Sequence, residues 1–351
     1  MKLGIIFGGS SSEHFVSVVS ATSIITNLNK DKYEIYPIYL DNENNWYQVK
    51  DKIDSIYSLG DLPKQLKKIK NPFKYLKKLD IVFPCMHGSF GEDGKIQGLL
   101  EMFNIPYVGC KTLASAISYD KVYTKRLLKL AGINVTPDLV LKQKDNDYFL
   151  VNEDFSEEKI TIKKLEELIG YKLNYPVFIK PAREGSSVGV IKVDNKNDLS
   201  KSLKESFLYD DKVLIERCII GRELECAILN GKALEVGEVK SAENFYSYSS
   251  KYENKESFTI IPAKINTKLR KKIMGISEHA FKVINGKSLA RIDFFYDENN
   301  DELYLNEINT MPGFTTISMY PKLAIASGIT YSKLLDILIE SAYKNFTSEV
   351  L

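Results

Sequence analysis

The chain has 351 residues, enough for two or three domains, and its 44% hydrophobic and 27% charged residues are ordinary for a globular protein. Lysine and arginine number 48 against 46 acidic residues, so a net charge of +2 gives no reason to expect a nucleic-acid or membrane partner. Four scattered cysteines and three histidines argue against a disulfide framework or a zinc site, and without a signal peptide or a membrane-spanning apolar run we expect a cytoplasmic protein.

The first segment, residues 1–115, opens with a strand at residues 2–7, a turn of glycines and serines, and a helix. This order is typical of a Rossmann-like parallel-sheet domain, where ligands bind at the carboxyl ends of the strands. Glu13 comes just after the turn. It could bind a ligand or cap the helix, and the sequence leaves both explanations open.

Two further strands are predicted at residues 33–39 and 80–84. The lysine-rich residues 63–78 are interpreted as the solvated face of a helix. The loop at residues 87–98 begins with His87 and contains four glycines and two acids. Such a composition indicates a functional loop more than a simple connection.

The middle segment, residues 116–212, contains a predicted exposed, irregular stretch at residues 143–160. Lys180 lies near the end of the apolar strand at residues 175–181 and needs an anion there. The small residues that follow, 184–189, could form a flap whose N–H groups bind phosphate, or a simple hairpin turn. Because Lys180 comes just before these residues, the phosphate-binding flap is favoured over a simple hairpin turn.

The last segment, residues 213–351, begins with a strand that ends at Glu216, and Glu223 opens the next strand. Acids in these positions suit the adenine amine or the ribose hydroxyls of a nucleotide. Residues 245–252 hold three tyrosines, a phenylalanine and a lysine with no regular period, which indicates either a lid or an aromatic surface loop.

Residues 289–313 predict two strands joined by a polar turn. Regular pairing about this turn would set Asp293 opposite Leu305 and diagonal to Glu307. Strand periodicity puts Glu307 and Asn309 on one face. The oxygen ligands of such a group suit Mg²⁺, whereas the alternative is a solvated hairpin with charged edges. Taken with the lysines, the flap and the acids, the pattern favours an ATP–Mg²⁺ site without a P-loop.

The chain closely resembles the D-alanine–D-alanine ligases of the ATP-grasp superfamily over nearly its whole length. The motifs that carry the resemblance are GGSSSEHFVS, HGSFGEDGKIQG, YDK, FIKPAREGSSVGV, VLIE with GRELEC, FYSYSSKY, RIDFF and NEINTMPGFTTISMYP. It implies an α/β (α+β) ATP-grasp fold with a Rossmann-like N-terminal domain (1–115) and two α+β ATP-grasp subdomains (116–212 and 213–351). It also implies an ATP-dependent ligase that makes D-alanyl-D-alanine for peptidoglycan precursors through an acyl phosphate, as a homodimer.

The resemblance assigns roles to individual residues. Those expected to hold ATP are Lys121, Lys180, Glu184, Ser187, Glu216, Glu223 and the lid lysine Lys251. Those expected to bind two Mg²⁺ ions, or Mn²⁺ in their place, are Asp293, Glu307 and Asn309. Those expected at the first D-alanine are Glu13 and His87, and those at the second are Ser318 and Met319. The groups expected to stabilise the acyl phosphate and the tetrahedral intermediate are Arg291 and the Gly313 amide. A hydrogen-bonded trio of the N-terminal domain, flap and lid would be Glu13, Ser186 and Tyr252.

Three positions depart from the usual pattern: Phe15 replaces an acid, Ser89 a proline and Ser247 an aspartate. None of these removes a residue with a chemical role. A ligase of the vancomycin-resistance type, which joins D-alanine to D-serine or D-lactate, is the nearest alternative. Met319 and Tyr252 favour D-alanine in both sites. A non-catalytic nucleotide-binding relative is a further alternative, although no metal or phosphate ligand is lost.

Overall fold

A computed structural model of the protein describes residues 1–240 and 258–350, with side chains through residue 348. Within these residues the strands form three sheets, and helices cover their faces. No helix in this part of the chain has the length and apolar character needed to cross a membrane.

The first sheet has a parallel centre. Strand β1 pairs in parallel with β2 and β5, while β3 and β4 extend the sheet antiparallel beyond β2. Its strands are β1 (Lys2–Gly8), β2 (Glu34–Leu40), β3 (Trp46–Val49), β4 (Leu66–Lys68) and β5 (Ile81–Pro84). Its helices are α1 (His14–Asn27), α2 (Pro72–Leu76) and α3 (Lys95–Met102). The prediction of a helix over residues 63–78 is therefore wrong for its first half, where an exposed edge strand carries the lysines. Edge strands commonly carry lysine because it discourages further pairing.

The second sheet is antiparallel in the order β10-β9-β11-β6-β7-β8. Its strands are β6 (Asp138–Lys144), β7 (Asp147–Val151), β8 (Glu157–Ile160), β9 (Val177–Pro181), β10 (Ile191–Val193) and β11 (Lys212–Arg217). Helices α4 (Thr112–Tyr119) and α5 (Lys121–Leu130) precede it, and α6 (Ile162–Lys172) and α7 (Leu199–Ser206) lie within it in the chain.

The expectation that residues 143–160 are irregular is wrong, because β7 and β8 lie in this stretch. Their polarity comes from ion pairs between strands at the sheet edge, some of which reach across β7 from β8 to β6. Glu157, for example, lies 2.6 Å from Lys142 and 2.5 Å from Lys144. Charged pairs on the exposed face hide the alternation by which strands are recognised in a sequence.

The third sheet is antiparallel in the order β14-β13-β12-β15-β16. Its strands are β12 (Arg222–Leu229), β13 (Lys232–Lys240), β14 (Phe258–Ile260), β15 (Leu289–Asp297) and β16 (Glu302–Asn309). Its helices are α8 (Thr267–Val283), α9 (Met319–Ala326) and α10 (Tyr331–Val350). One hydrophobic core continues from Phe7 on β1 to Tyr320 and Leu334 on α9 and α10, so the chain ends pack together.

The β15–β16 hairpin contains a β-bulge next to Asp293. Asp293 pairs with Glu307 and Phe294 with Leu305, so Asn306 is an extra residue between them. The predicted pairing of Asp293 with Leu305 is therefore wrong. A bulge adds one residue to one strand and re-aims the side chains beside it. Here it brings the two carboxylates directly opposite each other.

Candidate active site

Two adjoining cavities open where the three sheets meet. Residues that line the first cavity include Glu13, His87, Glu92, Glu225, Arg291, Asn309, Gly313, Ser318 and Met319. Residues that line the second include Lys180, Ser187, Glu216, Glu223 and Asn306. The cavities share a wall formed by Lys121, Glu184, Gly185, Ser186 and Glu307. A molecule bound in one cavity would therefore meet a molecule bound in the other at this wall.

Glu13 connects the start of α1 to the flap. It occupies the cap position of the helix without making a side-chain cap bond, so its carboxylate is used elsewhere. The hydroxyl of Ser186 donates a hydrogen bond to it. A Cβ atom at Gly185 would lie 2.9 Å from Glu13 Oε2, and one at Gly88 would lie 3.2 Å away. Both glycines thus let the backbone approach this buried carboxylate closely.

His87 is buried beside the first cavity, and both of its ring nitrogens are hydrogen-bonded. Nδ1 donates to the carbonyl of Met311 at 3.1 Å, and Nε2 lies 3.2 Å from the hydroxyl of Ser20. The N–H of Phe314 also donates to Ser20 Oγ, at 3.3 Å. The imidazole therefore ties α1 to the loop that contains Gly313, which gives it a positioning role.

The pKa of His87 depends on the groups packed around it, among them Glu92. Burial disfavours the imidazolium, but hydrogen bonds with Cys85 and Glu92 outweigh burial and raise the pKa of His87 well above its usual value. Burial and the nearby Glu13 raise the pKa of Glu92. Glu92 Oε1 lies 3.5 Å from His87 Nδ1. The first cavity therefore has Glu13 and Glu92 in its lining together with the His87 imidazole.

Arg291 lies on β15 between two acids. Its Nε and Nη2 donate to the two oxygens of Asp293 at 2.8 and 2.7 Å, and Nε lies 2.9 Å from Glu225 Oε2. Burial alone would destabilise the guanidinium, but Asp293 and Glu225 outweigh it and raise the pKa of Arg291 well above its usual value. The side chain is thus held as a fixed cation at the wall of the first cavity.

Asp293, Glu307 and Asn309 converge at the end of the hairpin. The Asn309 amide nitrogen lies 2.9 Å from Asp293 Oδ2 and 3.5 Å from Glu307 Oε1. A half-turn of this amide would point its oxygen at the same place, giving three oxygen donors of the kind that Mg²⁺ prefers. The described residues contain no group of three or more His, Cys, Asp or Glu side chains arranged for a metal. Two carboxylates and one amide oxygen are too few for a complete shell, so a hard cation held here would take its remaining ligands from phosphate and water.

Ser318 and Met319 begin α9 at the far side of the first cavity. Ser318 Oγ accepts the N–H of Thr315 at 3.0 Å and lies 2.7 Å from the Thr315 hydroxyl. A Cβ atom at Gly313 would lie 2.7 Å from Ser318 Oγ, so glycine allows this contact. The buried Met319 packs against Gly237 on β13, where a Cβ atom would lie 2.4 Å from its Cε. These residues form a small pocket with a hydroxyl and an apolar wall.

Lys180 and Glu216 lie on neighbouring strands of the second cavity. Lys180 Nζ is 2.7 Å from Glu216 Oε2 and 3.3 Å from Asn306 Oδ1. Burial disfavours the Glu216 carboxylate, but Lys125 and Lys180 outweigh it and lower its pKa to about 2. The cavity therefore holds a stable ionic pair next to the flap.

The flap, which forms part of the shared wall, has a constrained backbone. Ser186 and Ser187 have φ angles of 49° and 61°, in the left-handed region that residues other than glycine seldom occupy. Lys121 Nζ donates to the Glu184 carbonyl, which connects α5 to the flap. Burial raises the pKa of Glu184, while Lys121 acts in the opposite direction. Backbone strain of this kind is common at ligand clamps.

The structure brings the predicted site residues together around the two cavities, apart from three. Asp293 lies behind Arg291, outside the lining of either cavity. Lys251 and Tyr252 lie outside the described residues, as does Ser247. The Ser186–Glu13 hydrogen bond that the resemblance implies is present.

Some residues at the site did not follow from the sequence reasoning: Ser20, Glu92, Lys125, Glu225 and Asn306. For two of them, the spacing from a predicted site residue could have identified them from the sequence. Glu225 shares a strand face with Glu223, two residues earlier, and Lys125 shares a helix face with Lys121, four residues earlier.

Comparisons with known proteins agree with this geometry. The sequence matches the family models for the D-ala D-ala ligase N-terminus over residues 2–110 and the D-ala D-ala ligase C-terminus over residues 127–340. D-alanine--D-alanine ligase B from Clostridium tetani is 44% identical over 351 residues, which cover 98% of this chain and 94% of that protein.

Solved structures are similar over their whole length and confirm the predicted α/β ATP-grasp fold. The VanG D-Ala:D-Ser ligase from Enterococcus faecalis has a TM-score of 0.82 and 33% identity, and the match covers 97% of this chain and 99% of that one. The D-alanine--D-alanine ligase from Bacillus anthracis complexed with ATP has a TM-score of 0.76 and 30% identity, with 99% of both chains covered. The chain therefore belongs to the D-alanine–D-alanine ligase family.

Proposed function

We infer that the chain is an ATP-dependent ligase that joins two D-alanines into D-alanyl-D-alanine for peptidoglycan precursors. The observation that carries this function is the shared wall of the two cavities, at Glu184–Ser186 and Glu307. ATP in the second cavity and an amino acid in the first would meet there. This is the arrangement that phosphorylation of a carboxylate requires.

The second cavity has the charges that a nucleotide needs. Lys121 and Lys180 supply positive charge beside the flap, whose N–H groups can bind phosphate oxygens. We propose that Glu216 and Glu223 accept hydrogen bonds from the adenine amine or the ribose hydroxyls. Ser187 in the flap is proposed to bind phosphate.

The first cavity has the charges that amino-acid activation needs. We propose that Glu13 binds the ammonium group of the first D-alanine and that His87 holds the adjoining loop. A carboxylate is a poor acyl donor, so it is converted to an acyl phosphate with release of ADP. The amine of the second D-alanine then attacks the carbonyl and phosphate leaves. Arg291 and the Gly313 amide would stabilise the negative charge that develops on the carbonyl oxygen.

We propose Mg²⁺ as the metal, as two ions and with Mn²⁺ as a substitute, held by Asp293, Glu307 and Asn309. Such an ion supplies charge that offsets the phosphoryl oxygens. Within the chain, Glu307 lines both cavities, while Asp293 orients Arg291. Glu307 and Asp293 thus place the proposed phosphate site next to Arg291, the proposed oxyanion donor. Lys251, outside the described residues, is proposed to contact the transferred phosphate.

The second amino acid is proposed to bind at Ser318 and Met319. The Ser318 hydroxyl offers a hydrogen bond to a carboxylate, and the apolar Met319 suits a methyl side chain. This pocket favours D-alanine over D-serine or D-lactate, the acceptors of the alternative function. Tyr252, the other discriminating residue, lies outside the described residues.

We also propose that the chain acts in the cytoplasm as a homodimer through its N-terminal segment. Of the three proposed domains, residues 1–115 contain the first sheet. The proposed boundary between residues 116–212 and 213–351 falls within β11 (Lys212–Arg217), which is a strand of the second sheet. Sedimentation analysis of the purified protein tests the dimer, which a monomer at micromolar concentration would contradict.

A product assay tests the function. The protein is incubated with ATP, Mg²⁺ and D-alanine, and phosphate and dipeptide are measured together. We expect equal amounts of both, and little product when D-serine or D-lactate replaces the second D-alanine across a range of pH. Preferred formation of a mixed dipeptide or a depsipeptide would select the alternative. No phosphate release at saturating substrates would indicate a non-catalytic relative.

Glu307→Gln tests the metal assignment. The substitution keeps the shape and removes the charge, so we expect turnover to be nearly abolished, by about 100-fold or more, while the fold is kept. Glu302→Gln, on the exposed end of the same strand, serves as the control and should retain activity. Turnover is measured by dipeptide formation and the fold by circular dichroism. Full activity of Glu307→Gln would remove Glu307 from the metal site.

A further inference from the structure

Lys125 is a buried cation that lines neither cavity. Its side chain is 1% exposed, and it extends from α5, one turn after Lys121, to the floor of the second cavity. There its Nζ donates to Oε1 of Glu216. A buried lysine is costly unless it is paired, so the position calls for an explanation.

The partners of Lys125 show which acid depends on it. Asp138 lies 3.6 Å away, but Asp138 is also 2.9 Å from Lys129 and 3.7 Å from Arg126. Glu216 contacts Lys125 on one oxygen and Lys180, at 2.7 Å, on the other. If Lys125 were removed, Asp138 would keep its contacts with Lys129 and Arg126, whereas Glu216 would be left with Lys180.

The three groups form a row with a net charge of +1: Lys125, Glu216 and Lys180. Without Lys125, the carboxylate of Glu216 would neutralise Lys180, which is the cation that reaches the cavity. With Lys125 in place, the row of three groups keeps a surplus of one positive charge, while Glu307 and Glu223 also act on Lys180 from the same cavity. Because Coulomb interactions are strong in a buried site, that surplus charge matters for an anion.

We propose that Lys125 is a positioning residue for ATP: it binds and neutralises Glu216, so that Lys180 keeps its charge for the nucleotide phosphates. This inference rests on the proposed function in that the anion is taken to be ATP. Lys125 does not touch the nucleotide, and its effect passes through Glu216.

The test compares Lys125→Met, Lys125→Arg and Lys129→Met in the full chain. Methionine keeps most of the length and removes the charge, so we expect the KM for ATP to rise about tenfold or more, with little change in the KM for D-alanine. Arginine keeps the charge and should restore much of the ATP affinity. Lys129, on the same helix and 31% exposed, pairs with Asp138 and Glu153 and not with Glu216, so Lys129→Met is the matched control.

Direct binding of ATP in the absence of D-alanine, measured by calorimetry, separates this inference from the proposed function. Weaker ATP binding by Lys125→Met supports the role of Lys125 even if the wild-type chain makes no dipeptide. Unchanged ATP binding by a folded Lys125→Met variant would overturn it. An equal rise in both KM values would also overturn it, because a general structural defect has that effect.

A double-mutant cycle covers the case in which Lys125→Met does not fold. In the Glu216→Gln background the buried carboxylate is gone, and Lys125→Met should cause no further rise in the KM for ATP. A further rise of tenfold in that background would show that Lys125 acts without Glu216 and would contradict the proposal.

Discussion

Arg291 shows how single residues at this site are held in place by acids. Its guanidinium is planar, and the two parallel bonds to Asp293 fix its orientation, while Glu225 contacts it from β12. The acids thus keep a long side chain in one direction at the cavity wall. An oxyanion donor has to be oriented before the reaction, because reorientation during it would cost free energy.

Arg291→Lys separates charge from geometry. Lysine keeps the positive charge but cannot make two parallel hydrogen bonds with Asp293. We expect kcat to fall about 100-fold with a smaller change in the KM for ATP. Arg270→Lys is the control and should behave like the wild type. Arg270 lies on α8, and its Nη1 is 3.1 Å from Oε2 of Glu235 on β13. A loss of less than about tenfold in kcat would show that orientation by Asp293 is not needed.

Sequence reasoning identified residues whose position along one strand was informative. Lys180 was selected because a lysine near the end of an apolar strand needs an anion. Glu216 was selected because an acid at the end of a strand suits the amine or the hydroxyls of a nucleotide. Glu92 and Ser20 were missed because their meaning depends on His87, which comes from another part of the chain. The sequence around a polar residue in a loop or on a helix shows no periodic pattern that would reveal a partner elsewhere in the chain.

At the scale of elements, the flap is the segment on which both cavities depend. Residues 184–189 connect β9 to β10, and Gly185 lies directly against Glu13 from the first sheet's domain. The hydrogen bond between Ser186 and Glu13 connects the flap, whose first three residues are part of the shared wall, to the start of α1. Its left-handed backbone at two serines costs free energy that these contacts offset.

Gly185→Ala tests the contact between the flap and Glu13. The added Cβ would lie 2.9 Å from Glu13 Oε2, so the flap or the carboxylate must move. We expect the KM values for both ATP and D-alanine to rise, by about tenfold, because both ligands bind at the shared wall. Steady-state kinetics measure this change.

Gly170→Ala is the matched control. Gly170 lies on α6, and a Cβ atom there would meet no atom within 4 Å. We expect unchanged kinetics and a slight gain in stability, up to about 1 kcal/mol, because alanine favours helix. If Gly185→Ala behaved like this control, the close contact with Glu13 would not matter for substrate binding.

The elements themselves were largely predictable, and the exceptions have physical reasons. Apolar runs indicated β1, β9, β11 and the β15–β16 hairpin. β7 and β8 were missed because cross-strand ion pairs replaced the apolar alternation. The predicted partner of Asp293 was wrong by two residues. One comes from the turn, where Asp297 pairs with Glu302, and the other from the bulge, which leaves no mark in the local composition.

At the scale of the molecule, the C-terminal helix α10 connects the end of the chain to the first sheet. The Tyr33 hydroxyl donates to Asp336 Oδ1 at 2.9 Å, and Lys32 Nζ lies 2.7 Å from Oδ2. Burial is the largest cause of the raised pKa of Tyr33, with Asp336 adding to it. These contacts add a polar connection between α10 and the residues just before β2 to the hydrophobic core that the two share.

Tyr33→Phe measures what this connection contributes to stability. Loss of the hydroxyl leaves the buried Asp336 with the half-exposed Lys32, so we expect the free energy of unfolding to fall by about 1 kcal/mol. Denaturant unfolding measures the loss. In Tyr36→Phe the hydroxyl that is lost contacts Glu34 at the surface, so no comparable loss is expected. Equal stability of the two variants would show that the contact with Asp336 adds nothing.

The bulge beside Asp293 has a consequence for how the length of this hairpin can vary. Asn306 and Glu307 are neighbours in the chain, yet both line the second cavity, which regular alternation of side chains would forbid. Insertions in the turn at residues 297–301 would leave this arrangement intact. Removal of Asn306 would join Leu305 directly to Glu307 and abolish the bulge, so the cavity would lose the side chain whose Oδ1 lies 3.3 Å from Lys180 Nζ. The number of residues in β16, as well as their types, therefore determines which side chains face the cavity. When related sequences are aligned, a gap in this hairpin belongs in the turn at residues 297–301.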